Sequence, residues 1–261
     1  MSSPSVELSL SGGVATLTLT DSARKNAMSV ELGDALQARI KELSGRSEAR
    51  AVVLTGAGGS FSAGGDLAML AQLRTLAFED ARQHMLAFYG RYLSLLDLPV
   101  PVIAAVEGPA IGAGLCVALA CDLIIVSEDA KLALNFVQLG LHPGMGATYL
   151  APRRVGAQRA AELMFTGRRF DGREAQKLGM ALEAVPAGTA LAKAQAVAGQ
   201  IASAAPLSIR ALKKGLEVDR AALRAALEHE ARAQAESYGS ADLGEGLLAV
   251  SERRAPRFTG A

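Results

Sequence analysis

The sequence predicts an α/β fold with a parallel-paired core, and three observations carry that expectation. Short β-branched apolar runs recur at 51–55, 102–106 and 123–126. A helix-like stretch separates successive runs. Glycine-rich turns, 56–59 with 64–65 and 108–114, close the first two runs. Strand–helix–strand alternation of this kind is what a layered α/β core requires.

The elements follow in chain order. Residues 6–10 and 14–20 alternate apolar with polar or small residues around Gly12-Gly13, the pattern of a hairpin. Ser29 stands as an N-cap before Leu32, Leu36, Ile40 and Leu43, which repeat at helical spacing and stop at Gly45. Residues 67–96 are mostly helical but loosely patterned, so a broken or mobile helix is expected. Residues 111–120 are almost all small or apolar, which predicts a helix buried on every side. Beyond Ala157 come alanine-rich helices with charged faces, at 160–165, 171–178, 190–204, 206–218 and 221–237. Pro206 opens one of them at the first-turn position that proline tolerates. The helices after Ala190 read as a peripheral bundle rather than part of the sheet core.

Composition narrows the function classes. The 261 residues are half apolar and carry 27 Lys and Arg against 26 Asp and Glu, a formal net charge of +1. No basic excess supports nucleic-acid binding, and no acidic tail suggests disorder. Cys116 and Cys121 are the only cysteines, too few for a disulfide framework, and the three histidines lack metal-ligand spacing. The first ten residues lack the basic start and apolar core of a secretory signal, and a cytoplasmic enzyme is expected. The long apolar stretch 98–126 is broken by Pro99, Pro101, Glu107, Pro109 and Asp122, so it reads as a strand, a turn and a core helix rather than a membrane span.

The chemistry is concentrated in Ser60-Phe61-Ser62-Ala63-Gly64-Gly65-Asp66-Leu67 and Gly108-Pro109-Ala110-Ile111-Gly112-Ala113-Gly114. Glycine lets backbone approach a ligand closely, and the free N–H groups at a helix start favour an anionic oxygen. One such loop alone reads equally as a tight connection without a ligand. The first loop also lacks the Lys-Ser/Thr ending of a P-loop and the spacing of a dinucleotide fingerprint. Two loops offering one donor each make an oxyanion hole.

With these loops, Arg24-Lys25-Asn26-Ala27-Met28, Ala120-Cys121-Asp122-Leu123 and Leu139-Gly140-Leu141-His142-Pro143-Gly144-Met145-Gly146 complete a pattern that resembles the crotonase family, the enoyl-CoA hydratases and isomerases. The resemblance spans nearly the whole chain. It implies a crotonase-like spiral of ββα units over residues 1–190 and a helical C-terminal trimerisation region over 191–261. It further implies acyl-CoA thioesters as substrates rather than as a resident cofactor, and assembly as a homotrimer or a homohexamer built as a dimer of trimers. In the family two backbone N–H groups hold the thioester oxygen, which by position are those of Gly65 and Ala113. Residues 63–68, with Ala63, Asp66, Leu67 and Ala68, would line the pantetheine and adenine path. Arg24 and Lys25 fall where an early loop meets CoA, and read equally as solvated loop charges.

The resemblance also implies a departure. Hydratases of the family place two glutamates over the enoyl group, and the corresponding positions here hold Cys116 and Phe136. Some isomerases use an aspartate where this chain has Gly144. Water addition without those carboxylates loses roughly 10²–10⁴-fold for each missing acid–base group. Simple hydration is therefore not expected. Isomerisation, decarboxylation or a C–C bond step through an enolate is, with a non-catalytic acyl-CoA-binding or scaffold protein as the alternative. His142 is the candidate acid–base group, since imidazole titrates near neutrality. Asn135 is a candidate to orient substrate or water, and Cys116 reads as core filling or as a nucleophile. His84 and Tyr89 lie on the segment that covers the acyl pocket. Asp66 is read as a helix cap and His229-Glu230 as a solvated helix face.

Overall fold

A computed structural model describes residues 3–261. The chain opens with an antiparallel hairpin, β1 (Ser5–Ser11) and β2 (Val14–Thr20), turned by Gly12 and Gly13, both at positive φ. Helix α1 (Val30–Ser44) follows, with Ser29 Oγ accepting from the Leu32 N–H at 3.2 Å, and it buries Leu32, Leu36, Ile40 and Leu43. Next come β3 (Ala51–Gly56), α2 (Leu67–Leu73) and α3 (Phe78–Leu93). The loosely patterned stretch is thus two helices, broken at residues 74–77.

Strands β4 (Val102–Val106) and β5 (Pro109–Ile111) lead into α4 (Ala113–Ala120), all eight residues of which are buried. The helix predicted from 111 begins two residues later, because Pro109–Ile111 pairs with a later strand. Then follow β6 (Leu123–Ser127), β7 (Lys131–Ala133), α5 (Ala147–Val155), α6 (Ala157–Thr166), β8 (Arg169–Phe170), α7 (Gly172–Lys177) and β9 (Glu183–Val185). The chain ends in α8 (Ala190–Ser203), α9 (Pro206–Leu216), α10 (Arg220–Tyr238) and α11 (Ala241–Glu252).

The strands form a six-stranded sheet in the order β1-β2-β3-β4-β6-β9, parallel after the first hairpin, and a three-stranded sheet β5-β7-β8. Alternate residues point to opposite faces. Val52, Leu54, Ala104 and Val106 join the main core with α1, α3 and α4, while Ala51, Val53, Ile103, Ala105 and Ile125 form a second core. Ala190, Ala194 and Ala198 of α8 cover that second face. Alanine every four residues gives the helix one flat stripe, which lets it lie close against the sheet.

This corrects the expectation of a peripheral bundle after Ala190. Helix α8 is a layer against the sheet. Of the later helices, α10 packs along α3 and so reaches the core from outside.

Candidate active site

The two glycine loops are bound edge to edge. Ser62 N–H donates to the Pro109 carbonyl at 3.0 Å, and Ile111 N–H donates to the Ser62 carbonyl at 3.1 Å. At Gly64, φ is +90° and an added Cβ would lie 2.6 Å from the Ile111 carbonyl oxygen, so only glycine permits the contact. Gly114 is equally constrained, with an added Cβ 2.7 Å from Cβ of Ser62.

A third loop clamps the first. Asn26, fully buried at φ +53°, accepts from the Asp21 N–H and donates to the Ala57 and Ser60 carbonyls at 2.9 and 2.7 Å. Ser62 Oγ donates to the Asn26 carbonyl at 2.8 Å and accepts from the Gly64 N–H at 3.2 Å.

Among the described residues, two backbone N–H groups of these loops, those of Gly65 and Ala113, have no acceptor. Met28 takes up both neighbours of Gly65: its N–H donates to the Gly64 carbonyl at 2.7 Å and its carbonyl accepts from the Asp66 N–H at 3.1 Å. In such a parallel bridge the N–H of Gly65 itself points away from Met28. Ala113 is the first residue of α4, where N–H groups have no intrahelical acceptor, and its N-cap Gly112 has no side chain to supply one. Gly65 and Ala113 both line a cavity of about 490 Å³.

Of the residues singled out in the sequence, Arg24, Ala63, Asp66, Leu67, Ala68, Asn135, Phe136 and Gly144 line the same cavity. Asp66 is the one carboxylate on the described lining, and it is committed elsewhere. Its Oδ1 accepts from the Ala68 and Met69 N–H groups at 2.8 and 3.0 Å, capping α2, and its Oδ2 pairs with Arg24 at 2.9 Å. Arg24, held also by Asp21, keeps its guanidinium at the cavity rim.

Three of the expected residues lie apart. Lys25 contributes backbone, its carbonyl accepting from the Ala63 N–H at 2.9 Å, and its side chain is exposed. Cys116 is fully buried beneath the cavity, and burial pushes its thiol well above the ordinary range, so it stays a neutral core group. His142 faces a second cavity, with Thr148, Phe165, Asp242 and Phe258. Its Nδ1 lies 2.6 Å from the Pro143 carbonyl oxygen, its ring meets His229 edge-on, and burial lowers its pKa. The turn at Pro143 sends Gly144 toward the first cavity and His142 away from it, so His142 is not brought together with Gly65 and Ala113.

Met85, Phe88, Tyr89, Leu141, Met145, Gln234 and Tyr238 also line the first cavity. Gln234 and Tyr238 lie on α10 and escaped the sequence reading, because helical spacing alone does not reveal which distant helix α10 meets. Tyr89 Oη donates to Gln234 Oε1 at 2.8 Å, and Gln234 Nε2 donates to the His142 carbonyl at 2.8 Å. His84, the other residue noted on the covering segment, does not line the cavity.

Glu230 corrects the expectation of a solvated face at 229–230. It has no exposed surface, and its oxygens accept from the Gly146 N–H at 2.7 Å and from Thr148 N–H and Oγ1 at 2.8 and 2.6 Å. It therefore caps α5 from α10, across the turn that carries Gly144 and Met145. Burial pushes its carboxyl up to about 7, against the three donors that favour the charged form.

Among the described residues no group of His, Cys, Asp or Glu comes together that could hold a metal ion, and no helix is long and apolar enough to cross a membrane.

Comparison with known proteins places this geometry. A family model described as enoyl-CoA hydratase/isomerase matches residues 9–261. A curated relative from Rhodobacter capsulatus, named "Probable enoyl-CoA hydratase", is 35% identical over 265 residues, covering 100% of each chain. The crystal structure of an enoyl-CoA hydratase/isomerase from Pseudoalteromonas atlantica superposes with a TM-score of 0.86 at 32% identity, covering 98% of this chain and 100% of that one. An enoyl-CoA hydratase from Bacillus anthracis gives a TM-score of 0.76 at 33% identity, covering 98% and 99%. The likeness is to the crotonase fold. On sequence and fold alike, the chain belongs to the enoyl-CoA hydratase/isomerase family.

Proposed function

We propose that this protein is an enzyme acting on acyl-CoA thioesters, with the N–H groups of Gly65 and Ala113 holding the thioester oxygen as an enolate forms. The observation that carries the reading is that Gly65 and Ala113, whose N–H groups have no acceptor among the described residues, line one apolar-walled cavity. Preorganised donors of this kind stabilise charge that develops on oxygen, and removing one costs about 10²–10³ in rate in known enzymes.

Ordinary hydration is not the reaction we propose. Adding water across an enoyl group needs a base for water and an acid for carbon. The only carboxylate on the described lining, Asp66, already caps α2 and pairs with Arg24. The reactions supported are those in which the enolate is the main demand: double-bond isomerisation, decarboxylation or a C–C bond step. Residues 63–68 and the Arg24 guanidinium line the side of the cavity by which the CoA moiety would enter.

We also propose assembly as a homotrimer or a dimer of trimers. Helix α9 supports this, since it has no buried residue while Leu207, Leu212 and Leu216 are 81%, 58% and 72% exposed. Apolar exposure of that density on one helix marks an interface.

A panel of enoyl-, 2-carboxyacyl- and 3-oxoacyl-CoA esters tests the reading. Turnover of a non-hydration substrate, with hydration of a short enoyl-CoA at least about 10²-fold below the level two carboxylates support, is expected. Fast hydration contradicts it. Tight CoA-ester binding with no turnover of any ester favours a binding or scaffold protein instead.

A further inference from the structure

The family resemblance sets Gly144 where some relatives carry an aspartate, and the structure shows what fills that space. A Cβ built on Gly144 would lie 2.6 Å from Tyr89 Oη and 2.6 Å from Gln234 Nε2. A side chain at 144 would push the Tyr89–Gln234 pair from this position, and with glycine there this chain keeps the pair in place. Both residues line the cavity that holds the Gly65 and Ala113 donors.

We propose that Tyr89, oriented by Gln234, delivers the proton that quenches the enolate carbon; the proposal rests on the thioester reading above. The Tyr89 phenol is the proton-bearing group whose place is fixed from several sides. Its Oη donates to Gln234 Oε1 at 2.8 Å, and the Met145 backbone amide lies beside the same oxygen. Gln234 is itself anchored through Nε2 to the His142 carbonyl at 2.8 Å, and its Oε1 is shared with Tyr238 Oη at 3.3 Å. When an acyl group enters, rotation about the phenolic C–O bond swings the hydrogen from Gln234 to the substrate carbon. Tyr238 Oη, which lies 3.1 Å from Met85 Sδ and 3.3 Å from Gln234 Oε1, can then turn its one hydrogen to Gln234, so no buried amide oxygen is stranded.

The step balances without a further reagent beyond water. The Tyr89 O–H bond breaks, the enolate electron pair forms a new C–H bond, and the thioester C=O is restored in the hole formed by Gly65 and Ala113. The Tyr89 phenolate, facing the Met145 amide, regains a proton from solvent water entering the open cavity. Burial pushes the Tyr89 phenol above its ordinary range, which suits a proton donor. Gln234 acts through Tyr89 and is a positioning residue.

The test uses the full-length protein and a thioester that the wild type converts, with turnover followed in D₂O. Wild type is expected to place deuterium on one face of the reacting carbon. Tyr89→Phe is expected to lower kcat by about 10²–10⁴ with KM little changed, and its residual product should carry deuterium on both faces. Gln234→Ala, which frees the phenol without deleting it, should also lose facial selectivity, with a smaller fall in kcat. Tyr89→Phe within a few-fold of wild type overturns the proposal. So does a lower kcat with deuterium still on one face, which assigns Tyr89 to packing. Should Tyr89→Phe fail to fold, single-face delivery by Gln234→Ala overturns it. A wild type that converts no thioester ends the underlying reading itself, a result separate from any behaviour of the variants.

Discussion

Glu230 shows how far one buried group shapes the site without touching the cavity. It has no exposed surface and spans from α10 to the first turn of α5, holding Gly146 and Thr148. Its carboxyl is raised from 4.5 to about 7 by burial. The unfolded chain therefore ionises Glu230 first, so between these values the folded state binds the extra proton and stability falls as pH rises. The shift corresponds to about 3 kcal/mol lost across that window. Glu230→Gln should remove this slope from denaturant titrations run between pH 5 and 7.5, and an unchanged slope contradicts the assignment. Nothing in His229-Glu230 signals such burial, since an Ala-rich helix with charges spaced along it reads as solvated until its partners are known. Asp66 was legible as a cap because its role is local, and the glycine loops were legible as turns, whereas Gly65 and Ala113 were singled out within them by the family resemblance. Tyr89, Gln234 and Glu230 act across more than eighty positions of sequence, and local patterning is blind to them.

Among the elements, α8 departs most from its sequence reading. Its alanine-rich sequence, with Lys193 its one charge, suggests a peripheral helix, yet Ala190, Ala194 and Ala198 form the floor of the second core beneath β3, β4 and β6. The three short sheet strands at 51–55, 102–106 and 123–126 were readable from apolar runs alone. The cover over their far face was not, because alanine carries little hydrophobic signal while allowing the closest approach. Ala194→Leu should force the helix off the sheet and destabilise the protein by about 1–3 kcal/mol in thermal or denaturant melts. A neutral result contradicts tight packing at that stripe. Gly64→Ala tests the seam between the loops in the same way. Its Cβ would meet the Ile111 carbonyl at 2.6 Å, so activity should fall more than stability as the two donors are pushed apart.

At the scale of the molecule, the sheet and its two helical layers serve to fix two short loops against each other, while α3 and α10 wall the cavity beside them. The family and its fold were legible in the motifs, and they cover the chain from the hairpin onward. Leu212→Asp on the exposed face of α9 should shift sedimentation from trimer or hexamer toward monomer while leaving the chain folded. Sedimentation unchanged by it contradicts α9 as an interface. The central claim is that the Gly65 and Ala113 N–H groups grip a thioester oxygen. The most direct measurement is the infrared difference spectrum of a bound acyl-CoA labelled with ¹³C at the thioester carbonyl. The account predicts a C=O stretch displaced to lower frequency on binding, as polarisation by two donors demands. A thioester that binds with its carbonyl stretch unmoved from the value in water would contradict it.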